Sequence, residues 1–434
     1  MQKVHACGIM KKAQIMHGDY RRKDNFMLVT LIPLFDENMI VSAYSLFTQK
    51  ENYFLNPSRL GTGMFDGASR VEGLDVIESM GMETISSDKP VFIPATGISI
   101  FSDIDEQQDI SRKRLVLLLD NTVLPQEIYV NRLKQLKESG YKLAIRKLEV
   151  SQFEAYREVL HLMDYIFLNH KKIDISKAKI YFGKLYPNIK LCAGNIDTME
   201  IFEELKADGG YQYYEGKFFR IPINKGEREV SPLKVNYIQL LNMVNAPEFE
   251  LTEAADVIGQ DTALVISLLK LVNRMTINSQ ITSIRHAAAM LGEKELRKWL
   301  TTAVAGELYM DKPNEITRLS LLRAKFAENL APIFSLATHG SELFLMGLFS
   351  VLDVILDMPM EEALKVVQVS KNISEALIHR KGDFAILLDF ILQYENANWQ
   401  EVSRQMIVHN IDMQSVYEAY KKTLEWYRDT MFEK

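Results

Sequence analysis

Short apolar runs alternate with amphipathic stretches through the first half of this 434-residue chain, and that beat constrains the fold more than any other feature. Candidate strands fall at 26–34, 39–47, 90–94, 115–119, 141–145, 165–168, 189–193 and 211–214. Between the later runs the punctuation is helical. Pro125 sits at a first helical turn, the helix runs through Leu133, Leu136 and Lys137, and Gly140 ends it. Ser151 is placed to cap a next helix that carries Phe153, Tyr156 and Leu160 on one stripe, and Thr198 opens another over 199–206. Repeated strand–helix–strand units favour a parallel sheet with helical crossovers, and eight strand candidates predict a closed, α/β-class (β/α)8 barrel. Only Asp36-Glu37-Asn38 separates the first two runs. That is too short for a crossover, so those two strands are expected to pair antiparallel.

After residue 214 the texture changes. Residues 223–232, INKGEREVSP, are polar, hold Gly226 and Pro232, and read as a linker. Beyond them strand signals fade. Asp261 caps a helix over 262–273 whose Leu264, Val265, Leu268, Leu269, Leu271 and Val272 leave little polar face, so it is expected to be buried. Ser283 caps 284–291 with Gly292 at its C′ position, Pro359 starts a further helix, and Trp399 and Trp426 mark the last ones. The apolar run 343–356 carries Asp353, is too short for a bilayer and reads as one buried helix. This half is predicted to be an all-α bundle. A single core rarely grows past about 250–300 residues, so two domains are expected. The boundaries are an N-terminal extension 1–24, a barrel 25–222, a linker 223–232 and a helical domain 233–434.

Acidic side chains number 57 against 51 basic ones, and the net charge of −6 gives no overall attraction for nucleic acid or an anionic membrane. Cys7 and Cys192 cannot build a zinc cluster unaided and suit a reducing compartment, with Cys192 a small core residue on its strand. The first residues lack the long apolar region of a signal peptide, so a cytoplasmic location is expected. No Walker loop, GxGxxG, GxSxG or CxxC is present.

Three segments of the first half resemble the EAL-domain family, the bacterial cyclic-di-GMP phosphodiesterases built on a modified TIM barrel. They are Ile32-Pro33-Leu34-Phe35-Asp36 with Val41 to Phe47, Gly140 to Ile145, and Gly210 to Phe219 with Pro222. The stretch LKLVNRMTINSQITSIRHAAAMLGEKELRKW, from Leu269 to Trp299, resembles the HDOD domain, a helical relative of the HD hydrolases. Together they resemble the tandem EAL–HDOD signalling proteins.

The EAL resemblance implies two divalent metals at the C-terminal ends of the barrel strands, held by carboxylates and an amide and polarising the water that attacks the phosphodiester. At the positions it marks, this chain has Tyr44 for the naming glutamate, Arg146 and Lys147 for an Asp-Asp pair, and Asn169 for a later aspartate. Gly194 stands for a further glutamate and Glu215 for a glutamine, with Leu117 or Leu118 on the fourth strand. Two cations replace two metal-facing anions. At about 4 Å and an effective dielectric near 20, each contact changes from roughly −4 to +4 kcal/mol. The residual acids Asp120, Asp197 and Glu215 are not expected to outweigh that, so no metal and no cofactor are predicted. Arg146 and Lys147 are either a phosphate contact or, more simply, a solvated rim paired with Glu149. The HDOD resemblance marks Ser350-Val351 where HD hydrolases carry His-Asp, and His286, His339, His379 and His409 are scattered.

These readings predict a non-catalytic signalling or scaffold protein, a pseudoenzyme with no catalytic residue, acting through protein partners in cyclic-di-GMP-related pathways. The alternatives are a metal-free cyclic-di-GMP effector and residual phosphodiesterase activity. Relatives of the barrel often dimerise, so a homodimer stays open.

Overall fold

The computed structural model describes residues 26–50, 52, 54, 70–87, 89–104, 112–220, 232–245, 250–275, 281–308, 314–367 and 369–431. Cys7, the N-terminal extension and the linker up to residue 231 lie outside these.

Eight strands close a barrel in sequence order: β1 Leu28–Phe35, β2 Val41–Gln49, β3 Val91–Pro94, β4 Leu115–Leu119, β5 Lys142–Ile145, β6 Tyr165–Asn169, β7 Lys190–Ile196 and β8 Tyr211–Gly216. Strands β2 to β8 run parallel, and β1 is antiparallel to β2 and, at Phe35 opposite Tyr214, to β8. The short connection, residues 36–40, therefore does what its length dictates. Alternation sorts the side chains: Leu34, Ala43, Phe92, Val116, Leu118, Ala144, Tyr165, Phe167, Cys192 and Tyr213 fill the lumen, while their neighbours face outward. Cys192 is buried there as a core residue.

Around the barrel lie α1 Glu72–Met80, α2 Met82–Ser86, α3 Glu127–Glu138, α4 Arg157–Leu160, α5 Ile175–Leu185 and α6 Met199–Asp208. Thr198 caps α6, its hydroxyl accepting from the Ile201 amide at 3.4 Å. Ser151 caps nothing. It lies inside a 3-10 turn, Val150–Gln152, that Glu149 and Gln152 close with a reciprocal capping box, and only the single turn of α4 follows.

The helical half holds α7 Pro232–Asn245, α8 Leu251–Ile258, α9 Thr262–Met275, α10 Ile284–Leu308, α11 Asn314–Leu330 and α12 Gly340–Phe349. It continues with α13 Leu352–Leu356, α14 Met360–Val367, α15 Lys371–Ser374, α16 Asp383–Glu395, α17 Trp399–Val408 and α18 Met413–Met431. Asp261 and Ser283 cap as their positions predict, accepting from Leu264 at 3.0 Å and His286 at 3.3 Å. Gly292, at φ 72°, breaks the helix where expected, but a second helix resumes at once and α10 is kinked there. Two expectations fail. Helix α9 buries Leu264, Leu268 and Val272 but leaves Ile266 47% exposed, because its packing reaches one face only. The run 343–356 is broken at Ser350, whose hydroxyl turns back onto the Gly347 carbonyl at 2.7 Å and separates α12 from α13.

The two halves pack together for a reason rooted in the hairpin. An antiparallel β1–β2 pair brings no crossover helix, so its outer face is left for other elements to cover. Helices α11, α16, α17 and α18 do so. Tyr394 on α16 accepts from the Val29 amide at 3.1 Å, Ser403 accepts from Gln49 at 2.9 Å, and Arg428 donates to Thr84 at 2.7 Å. Among the described residues no helix is long and apolar enough to cross a membrane.

Candidate functional site

The C-terminal ends of the parallel strands form the barrel mouth, where loops of a (β/α)8 barrel gather reactive groups. Arg146 follows β5 directly, and its amide bonds the Leu119 carbonyl at 3.0 Å. Its guanidinium lies over the rings of Phe47 and Phe167, 5.3 and 5.9 Å from their centroids, and donates from Nη2 to Glu215 Oε1 at 3.3 Å. The fork is half made: Arg146 Nη1 and Glu215 Oε2 are both buried without a hydrogen-bond partner. Lys147 takes the left-handed region at φ 64°, uncommon for a residue with a Cβ, and its ammonium meets Asp120 Oδ2 at 3.0 Å. Burial pushes the Asp120 carboxyl up, but bonds from Thr122 and Lys147 outweigh it and hold the group below its ordinary value. Lys171 pairs with Asp197 in the same way.

Arg146, Lys147, Asn169, Gly194 and Glu215 line one cavity of about 250 Å³, together with Asn121, Phe167, Lys172 and Asn195. Five of the seven barrel positions that the resemblance marks thus converge, the position at Leu117 or Leu118 lying outside the cavity lining. Tyr44 does not converge either. Strand alternation puts Ala43 in the lumen and Tyr44 outside it, where its hydroxyl donates to Glu315 on α11 at 3.2 Å and Arg318 stacks on its ring at 4.8 Å. Burial pushes the phenol up, Arg318 pulls it down, and Glu315 raises it further. The expected Glu149 partner is also corrected: Glu149 is engaged with Gln152, and the cations at the mouth pair with Glu215 and Asp120.

These residues do not fit a pair of divalent cations. Among the described residues no group of three or more His, Cys, Asp and Glu converges; Asp120, Asp197 and Glu215 each face a lysine or arginine, and Glu149, which also lines the cavity, is engaged with Gln152. In the helical half, Ser350 accepts from Arg323 Nη1 at 3.0 Å, and Val351 is buried. Arg323 forks onto Glu395 at 2.8 and 2.9 Å, and Glu395 also meets Arg220 from the barrel at 3.5 Å. A cation therefore stands beside the position of the HD dyad as well. A wider cleft of about 610 Å³, bordered by Arg380, Gln405 and His409, holds none of the marked positions.

The residues that sequence reasoning missed are the partners. Lys172, Asn121 and Asn195 arrive by loop geometry, Glu315, Arg318 and Glu395 meet the barrel across long sequence separations, and Arg323 forks onto Glu395 from behind. A change of charge at three positions, acid to base at 146 and 147 and amide to acid at 215, was the one available signal.

Comparison with known proteins bears on these positions. The HDOD domain family model matches residues 231–381. A Vibrio cholerae protein named cyclic di-GMP phosphodiesterase CdgJ is 29% identical over 323 residues, 73% of this chain and 74% of that protein. YuxH of Bacillus subtilis is 25% identical over 409 residues, 92% of this chain and 97% of its own length. Among solved structures, Klebsiella pneumoniae BlrP1 in its manganese/cyclic-diGMP complex is 13% identical at TM-score 0.35, covering 46% of this chain and 56% of that one. Bacillus subtilis YkuI, an EAL-domain protein with cyclic-di-GMP and calcium, is 13% identical at TM-score 0.34, covering 64% and 75%. Likenesses at these scores add nothing to the functional reading. The Vibrio relative does correct one expectation. Its name is that of an enzyme, and this overturns the prediction that the chain, with its replaced motifs, is a pseudoenzyme.

Proposed function

Because the chain joins an EAL-like barrel to an HDOD domain, we propose that it works in cyclic-di-GMP signalling and receives the dinucleotide at the barrel mouth, with Arg146 and Lys147 toward a phosphate. The observation that carries this is Arg146, which lines a cavity with Lys147 and Lys172 and whose buried Nη1 is a donor without a partner. A planar guanidinium matches phosphate oxygens geometrically, and a charge-assisted bond there is stronger than a neutral one. Ligand pockets usually run from about 300 to 1,000 Å³, so this cavity takes a phosphodiester with its sugar and leaves bases at the rim. The barrel is placed at 25–222 and the helical domain at 233–434, with output through protein contacts. Calorimetric titration of the full chain with cyclic-di-GMP tests the reading. Micromolar binding is the expected result, and a flat titration at millimolar dinucleotide contradicts it.

Hydrolysis is the second reading, favoured by the name of the Vibrio relative. A radiolabelled turnover assay with magnesium or manganese decides it by the appearance or absence of a linear product.

A further inference from the structure

We propose that Glu215 is a built-in substitute for the ligand's phosphate, holding Arg146 through a single oxygen until a phosphodiester monoanion displaces it. This rests on the mouth being the nucleotide site. An arginine and a carboxylate in free association usually meet through two parallel bonds. Here one bond of 3.3 Å forms, while Arg146 Nη1 and Glu215 Oε2 stay buried and unbonded. Glu215 is buried, with its side chain 9% exposed, so the unbonded oxygen is not satisfied by bulk water.

The guanidinium does not need the carboxylate to stay in place. The Phe47 ring on β2 and the Phe167 ring on the adjacent β6 hold it. The backbone under Glu215 is equally fixed: a Cβ on Gly216 would stand 1.9 Å from the Ile196 carbonyl oxygen, and that oxygen accepts from Lys217 at 2.7 Å. Displacement is therefore a rotation of the Glu215 side chain, with β8 staying where it is. A phosphodiester brings one negative charge and two free oxygens, so it replaces the carboxylate on Arg146 without changing the charge of the pair and completes the fork. Lys172, which lines the same cavity without an ion pair among the described residues, offers the released carboxylate or the second oxygen a cation.

Such a substitute lowers apparent affinity by the fraction of time it occupies the site. Calorimetry on the full chain, with cyclic-di-GMP as probe and a chelator present, reads this directly. Glu215→Gln is expected to bind about tenfold tighter than the wild type, because the competing charge is gone and an amide holds the guanidinium weakly. Glu215→Asp, too short to reach Arg146 as well, is expected to shift in the same direction and stands in if the glutamine variant melts early. The double variant Arg146→Gln/Glu215→Gln, which leaves no lone buried charge, is expected to lose binding. Wild-type binding that Glu215→Gln leaves unchanged or weakens overturns the substitute role and leaves the mouth reading standing. No binding by the wild type or either single variant overturns the mouth reading, and the substitute role falls with it.

Discussion

Arg146 and Glu215 are replacements of opposite sign that answer each other across 69 positions of sequence. Each was legible alone as a departure from the resembled motif. Their pairing was not, because Glu149 lies nearer in the chain and nothing local shows that Gln152 engages it. Tyr44 was misplaced for a related reason: the match fixed its position along β2, while the pleat decides which side of the barrel the ring faces. Removing one member of a buried pair leaves the other charge uncompensated. Arg146→Met is therefore expected to cost roughly 2–4 kcal/mol in urea unfolding, and Arg146→Met/Glu215→Leu to recover most of it. Asp120 provides a pH test. Its folded carboxyl is held below its ordinary value of 3.8, so its contribution to stability is full above that value and is lost as pH falls through the lower folded one. Asp120→Asn should melt below the wild type at pH 7, and the gap should close in strong acid. An equal gap at both ends would mean that the side chain acts through packing.

Elements were legible where their signals are local. Thr198, Asp261, Ser283 and Gly292 each act within a few residues, and each caps or breaks a helix as the sequence predicts. Apart from Ser151, displaced by the local Glu149–Gln152 box, what failed depended on neighbours far along the chain. The break at Ser350 depends on the close crossing of α11 and α12, and on the arginine that α11 brings to the Ser350 hydroxyl. At that crossing a Cβ on Gly347 would stand 2.5 Å from the Arg323 carbonyl. Gly347→Ala must therefore push two buried helices apart and is expected to cost about 1–3 kcal/mol, measured as a lowered urea midpoint. A neutral result would show that the helices slide apart freely, and that Arg323 does not depend on this crossing for its place beside Ser350.

At the scale of the molecule, the barrel and bundle were both legible, and their interdependence was not. The sequence shows a hairpin where an ideal barrel would have a crossover. It does not show that α11 and α16 to α18 cover the face left open, because those contacts join β1 and β2 to residues 271 to 365 positions away. The first half expressed alone as 25–222 is expected to be aggregated or unfolded, whereas the full chain should melt in one transition. Tyr394→Phe leaves the Val29 amide without its partner and should cost about 1–3 kcal/mol. A soluble, cooperatively folded 25–222 fragment would contradict this dependence. The central claim, that the charge-swapped mouth receives a phosphodiester, is tested most directly by a crystal structure of the full chain with cyclic-di-GMP. The account predicts a phosphate oxygen at hydrogen-bond distance from Arg146 Nη1 with Glu215 rotated away. Dinucleotide bound elsewhere, or Arg146 turned out of the mouth with the acids gathered around divalent ions, would contradict it.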